Sequence, residues 1–353
     1  MTDSGGNSQG YAGIPLVVSS SLAAEHVCVQ VQVCRDGVPV VCPRMLANVG
    51  SVKLCISSLT HAEFQLVMRT PSIAQISSSN TDSITWQVGT RPDFATGTAV
   101  EWYRYVQDAG FTLKEVLDIL PVRLGISIQV LYNSRAWGGR GSHVSAMPDV
   151  NEYIDAIFKA VYEDSHKNAR TSSAAHGAHG GSSSGGGSIL ERITSDIYRK
   201  ESSQRNTIFC SYSPQVCIAL NWKQPNYAVF LLTTGREPLA SGQQSSGASA
   251  ETGDTCAGDA PSFNPPSHHL SLKEAVRFAC TNNLLGVMCT SSLLTRVPAL
   301  IKSIKDNGLF LVSFGRENRD EQLRALQRSH GVDATLCDGV IKYEADESTE
   351  FAI

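Results

Sequence analysis

The sequence predicts an α/β fold: a (β/α)8 TIM barrel with long disordered loop insertions. Eight short apolar runs recur along the chain, and the later ones are separated by stretches of helical periodicity. Three polar, low-complexity segments interrupt that order without changing its period. Eight strands alternating with helices in 353 residues match an eight-stranded barrel best. A doubly wound open sheet is the second fit to the same alternation.

In chain order the strands expected are "IPLVVS" (14–19), "HVCVQVQV" (26–33), "GISIQVLY" (125–132), "TIFCSY" (207–212), "YAVFLLT" (227–233), "LLGVMC" (284–289), "LFLVSF" (309–314) and "DATLCD" (333–338). Each is short and rich in β-branched or aromatic residues. Helices are expected over 150–164, 213–222, 271–283, 293–307 and 319–331, where apolar residues recur at i, i+3 and i+4. Ser213 before Pro214, and Ser271 three residues before Glu274, are N-terminal signals; Gly308 and Gly331 are C-terminal ones.

Domain organisation follows. Residues 1–13 are expected to be a disordered N-terminus, 14–341 one barrel, and 342–353 a tail. Insertions are expected at about 70–100, 165–188 and 235–268. "TSSAAHGAHGGSSSGGGS" (171–188) and "SGQQSSGASAETGDT" (241–255) are too poor in apolar residues to repay the entropy of ordering.

Composition excludes several classes. Net charge is −4 with no Lys/Arg cluster, which argues against nucleic-acid binding. No apolar run approaches the ~20 residues of a membrane span, and the polar start argues against secretion. The ten cysteines contain no C-x-x-C pair and mostly sit in apolar runs, as Cys28, Cys55, Cys210, Cys217, Cys280 and Cys289 do. They read as buried thiols of a cytoplasmic or nuclear protein.

The strand over 26–33 holds the first chemical clue. Side chains alternate across a strand, so Val27, Val29, Val31 and Val33 share one face and Cys28, Gln30, Gln32 and Cys34 the other. In a barrel the valine row suits the layer under the helices, and the polar row the lumen. The glutamines either satisfy each other or a water, or line a ligand site.

"VQVCRDGVPVVCPRM" (31–45) resembles the opening of the glycerophosphodiester phosphodiesterase family, where an E-x-D-V-Q strand precedes K/R-D-G-V-P-V-V-x-H-D. The resemblance continues through "SLTHAEF" (58–64), "FTLKEVLDILPVRLGISIQVLY" (111–132), "TIFCSYSPQVCIALNWKQPNYAVFLLT" (207–233), "NNLLGVMCTSSLLTRVPALIKSIKDNGLFLVSFGREN" (282–318) and "GVDATLCDGV" (331–340). It implies a TIM barrel. It also implies a site in which carboxylates hold a divalent cation while two histidines serve as general acid and base.

Carried over position by position, that chemistry is missing. The E-x-D acids fall on Cys28 and Gln30, the H-D pair on Pro43 and Arg44, and the later E-x-K on Gln129 and Leu131. Ser19 to Ser21 stand where H-R-G is expected. Glu25 and His26 are the nearest candidates for rescue and are expected at the rim. His176, His179, His268 and His269 read as loop residues, and "WGGRG" (137–141) as a turn rather than a phosphate loop. No catalytic residue, metal ligand or cofactor is therefore expected. Ca²⁺ or Mg²⁺ is the alternative should the domain be active.

"SPQVCIALNWKQPNY" (213–227) and "LPVRLGISIQVLYNSRA" (120–136) are similar to the degenerate C-terminal barrel of the fungal phosphate-starvation regulators. Those proteins join an SPX domain, ankyrin repeats and this barrel, and inhibit a cyclin–cyclin-dependent kinase complex. No 33-residue ankyrin period is present, so the chain is expected to be the barrel alone or part of a longer protein. The resemblance implies an inactive barrel that senses a ligand or contacts phosphate-pathway proteins. The alternative is a metal-dependent glycerophosphodiester phosphodiesterase with a relocated site.

Overall fold

The computed structural model describes residues 24–44, 46–49, 52–69, 90–107, 109–132, 148–177, 205–235 and 270–343. Eight strands close a ring: β1 (His26–Val33), β5 (Gly125–Val130), β6 (Thr207–Ser211), β7 (Ala228–Thr233), β8 (Gly286–Thr290), β9 (Phe310–Phe314), β10 (Ala334–Cys337) and β11 (Val340–Tyr343). β1 and β5 to β10 run parallel to one another. β11 is antiparallel to both of its neighbours, β10 and β1, and completes the barrel. β2 (Pro39–Val41) folds back along the end of β1, while β3 (Leu46–Val49) and β4 (Val52–Cys55) form a separate hairpin.

Strand alternation builds two cores. Val27, Val29, Val31 and Val33 point outward with Ile126, Ile128, Val130, Phe209 and Leu311, and helices cover them. Cys210, Phe230, Met288, Val312, Phe314 and Ile341 fill the lumen, with Cys28 and Tyr212 packed beside them. The lumen is a packed core, as barrels of this size require.

The surrounding helices are α1 (His61–Arg69), α2 (Ala99–Gln107), α3 (Leu113–Ile119), α4 (Val150–Gly177), α5 (Pro214–Lys223), α6 (Leu272–Thr281), α7 (Ser291–Arg296), α8 (Ala299–Lys305) and α9 (Glu321–Ser329). Four begin with one sequence device. Thr60, Thr98, Thr112 and Ser271 each exchange hydrogen bonds with a glutamate three residues on. This reciprocal box satisfies two amide groups that a helix N-terminus otherwise leaves open. Ser213 caps α5 with Pro214 in its first turn, as expected. Gly308 and Gly331 adopt φ of 73° and 100°, the left-handed conformation that ends helices at low cost.

Some boundaries differ from the sequence expectation. The ring position expected for 14–19 is taken by β11, and 14–19 lies outside the described residues. The barrel therefore runs to Tyr343, not 341, so residues 342 and 343, expected in the tail, belong to it. The Asp338–Gly339 turn explains this. Both residues have positive φ, 48° and 76°, the backbone of a type I′ hairpin, whose twist suits two antiparallel strands. The amide of Cys28 donates to the carbonyl of Gly339 at 2.9 Å, fixing the hairpin to β1.

The insertion expected from 165 overlaps α4, which continues through Ala174 and Ala175 to Gly177. The one expected over 70–100 ends sooner, since residues 90–98 lead into α2. The helix expected over 293–307 is two, α7 and α8, divided at Pro298, which has no amide to continue the first. Residues 178–188 and 236–269 lie outside the described residues. Among those described, no helix is long and apolar enough to cross a membrane.

Candidate functional site

In a barrel of parallel strands, ligands meet the C-terminal strand ends. Here that end holds Gln30 and Gln32 of β1, Gln129 of β5 and the segment Cys42–Pro43–Arg44 that follows β2. Gln30 and Gln129 are register partners. Gln30 Nε2 donates to Gln129 Oε1 at 3.1 Å. Gln129 is 8% exposed and Gln30 half-buried.

Gln32 does not pair with Gln30. Its Nε2 donates to the carbonyls of Cys42 (3.1 Å) and Arg44 (2.8 Å), and the Cys42 amide donates to the carbonyl of Gln30 (2.8 Å). These bonds tie the segment carrying Pro43 and Arg44 against the strand end. Pro43 is half-buried and Arg44 exposed. Leu131, just past β5, is buried, and its carbonyl accepts from the Tyr153 hydroxyl at 2.7 Å. The same hydroxyl accepts from the Val33 amide at 2.9 Å, so α4 pins the ends of β1 and β5 together.

One layer deeper lies a row of small neutral groups. Cys28 is the register partner of Ser127, and the Ser127 hydroxyl lies 3.9 Å from Cys210 Sγ. Burial pushes the Cys28 thiol up to about 12 and raises the Cys210 thiol well above its ordinary value. Both stay protonated at neutral pH, since a thiolate there would be stranded without solvent.

The sequence-derived candidates thus separate into two places. Gln30, Gln129, Pro43, Arg44 and Leu131 gather at the mouth, with Cys28 one layer below. Glu25 and His26 do not join them. His26 is fully buried at the opposite end of the lumen, about 13 Å along the strand from Gln30 at ~3.3 Å per residue. Its ring lies over Gly125, where an added Cβ would fall 2.5 Å from His26 Cδ2. The expected rim position is corrected to the barrel floor. Glu25 is exposed and pairs with Lys342 of β11 at 2.9 Å. Ser19 to Ser21, 137–141, His179, His268 and His269 lie outside the described residues.

The donor set at the mouth does not suit a hard divalent cation. Such ions are held best by carboxylates, whose charge offsets their dehydration, and the positions carried over from the resemblance offer two neutral amides, a protonated thiol and a leucine. Among the described residues no group of three His, Cys, Asp or Glu side chains is placed to hold a metal ion. Pro43 has no ionisable group, so it cannot pass a proton.

Sequence reasoning missed two residues that shape this end. Tyr153 was unmarked because its partners, the Val33 amide and the Leu131 carbonyl, are backbone groups distant in sequence. Asn318 is fully buried behind β9 and β10; its amide donates to the carbonyls of Ser313 (2.9 Å) and Leu336 (3.1 Å) and its Oδ1 accepts from Gln327 (3.0 Å).

No family model matches the chain. It is 32% identical over 312 residues, 84% of its length, to ankyrin repeat protein nuc-2 of Neurospora crassa. Over 355 residues (92%) it is 23% identical to glycerophosphocholine phosphodiesterase GDE1 of Candida albicans. Over 315 residues (86%) it is 24% identical to phosphate system positive regulatory protein PHO81 of Saccharomyces cerevisiae. The chain spans about a quarter of the length of these relatives: 25%, 25% and 22%. A solved phosphodiesterase of Oleispira antarctica in complex with sn-glycerol-3-phosphate aligns with 92% of this chain and 85% of its own, at 12% identity and a TM-score of 0.43.

Proposed function

Because the chain belongs to the glycerophosphodiester phosphodiesterase-like barrels, with relatives among fungal phosphate regulators, we propose that it is a non-catalytic binding module in phosphate signalling. One observation carries the reading: Cys28, Gln30 and Gln129, at the positions the resemblance assigns to the metal ligands, are neutral, and Gln30 and Gln129 bond to each other. A carboxylate at any of them would need a cation or a proton, because buried charge without a partner is costly. The amide pair needs neither. Pro43 and Arg44 in the H-D positions remove the proton donor on the same side.

What the barrel keeps is shape. Gln32 and Tyr153 still anchor the loop ends, so the mouth retains a defined surface for a small ligand or for pathway proteins. Regulators such as nuc-2 and PHO81 are four times longer or so, and contacts with a kinase complex belong to this reading only at the level of the whole protein. The competing reading is a working diesterase, as the name of the Candida relative suggests.

Calorimetry of Ca²⁺ and Mg²⁺ on this protein and on the double variant Cys28→Glu/Gln30→Asp separates the two readings. The unaltered protein should show no cation binding, and the variant weak binding without turnover, since two carboxylates return but Pro43 remains. Tight binding of either cation by the unaltered protein contradicts the reading.

A further inference from the structure

The single hydrogen bond between Gln30 and Gln129 leaves Gln30 Oε1 and Gln129 Nε2 buried and without partners. Turning both amides over exchanges the atoms but not the outcome: one carbonyl oxygen and one NH₂ remain open at the barrel mouth. Gln129 is more than nine-tenths buried, and Gln30 is half-buried as a residue although its open Oε1 is itself covered, so a ligand reaches the pair by displacing the Gln30 side chain. Buried polar groups are nearly always satisfied, and a pair left open points to something that binds there.

Its chemistry selects the partner. An anion accepts hydrogen bonds from the NH₂ but meets the glutamine carbonyl as a second acceptor. A cation favours the carbonyl but faces the positive end of the NH₂ dipole. A hydroxyl both donates and accepts, so hydroxyl groups can satisfy both atoms. Below the pair, Cys28, Ser127 and Cys210 add no formal charge.

We infer that the Gln30–Gln129 pair is a recognition site for a neutral, hydroxyl-bearing small molecule, and that it discriminates against both phosphate and divalent cations. This rests on the non-catalytic reading above and gives it a ligand class. Arg44, exposed nearby, is not required, because the pair is complete without charge.

The test is a titration followed through the side-chain amide resonances of ¹⁵N-labelled protein, with the Gln129 signal assigned by its loss in Gln129→Leu. Glycerol should shift the Gln129 NH₂ signals saturably, while inorganic phosphate and MgCl₂ at equal concentration should leave them in place. Gln30→Met should weaken the glycerol response at least tenfold. Gln30→Glu keeps the shape but replaces a neutral amide with a charged acceptor. It should reverse the preference, losing glycerol and gaining Mg²⁺, and it decides the matter even if Gln129→Leu fails to fold. A saturable phosphate shift at Gln129 overturns the proposal. So does an amide that exchanges magnetisation with one bound water and ignores glycerol, since an ordered water then fills the site. Turnover of glycerophosphocholine would bring down the non-catalytic reading; silence toward glycerol in a protein without turnover brings down this inference alone.

Discussion

Arg205 makes five hydrogen bonds from a site only 4% exposed. Four go to the carbonyls of Leu117, Leu120, Pro121 and Leu124 at the end of α3, and one to Asp164 of α4 at 3.3 Å. Nothing in its sequence neighbourhood announced this, because a capping cation 80 residues away leaves no local pattern. Arg205→Met strands the Asp164 carboxylate and four carbonyls, and should cost about 3–5 kcal/mol in urea unfolding. The buried thiols give a second prediction at this scale. Burial pushes Cys28, Cys217 and Cys289 up to about 12, from an ordinary value of 9.0. The unfolded chain releases these protons above about pH 9 and the folded chain holds them, so stability should fall as pH rises from about 9 toward 12. Each thiol contributes a slope of about 1.4 kcal/mol per pH unit in that window. Iodoacetamide at pH 8 should accordingly label exposed Cys280 and spare buried Cys217 and Cys289 until denaturant is added. Mass spectrometry of the digested protein reads this directly, and early labelling of Cys289 would contradict it. The sequence placed Cys280 in an apolar run and read it as core; the structure puts it on the outward side of α6.

At the scale of elements, the valine row of β1 and the strands of the parallel wall were legible because alternation and short apolar runs are local properties. The closing strand was not read, although its signal was present: Asp338–Gly339 between "TLC" and "VIKY" is a type I′ hairpin pattern. The four glutamate boxes were equally available in the sequence, and only Ser271 was used; Thr98 with Glu101 would have found α2 inside the supposed insertion. Ser271→Ala should therefore cost about 1 kcal/mol, measured as a shift of the urea midpoint. Gly339→Val should cost more, because its φ is 76° and a side chain there runs into the Tyr103 ring. Since that turn closes the ring, protection of the β1 and β11 amides in hydrogen exchange should drop together. Loss confined to residues 338–340 would mean that the hairpin is not what holds the ring shut.

For the whole molecule, the barrel closes as predicted, and its mouth carries Gln30 and Gln129 where the resemblance implies carboxylates. By position the candidate site was legible: five of the residues carried over from the resemblance meet at one end of the barrel, with Cys28 beneath. Their pairing was not, because which glutamine bonds to which depends on strands about a hundred residues apart. His26 was misplaced to the rim for the same reason, as burial at the barrel floor follows from Gly125 on a neighbouring strand. The central claim is that this mouth binds without reacting. Hydrolysis of glycerophosphocholine by the purified chain, with Mg²⁺ or Ca²⁺ present and again with a chelator, tests it most directly. Product should form no faster than in protein-free buffer, with or without metal; turnover that depends on the cation and stops with the chelator would contradict the account.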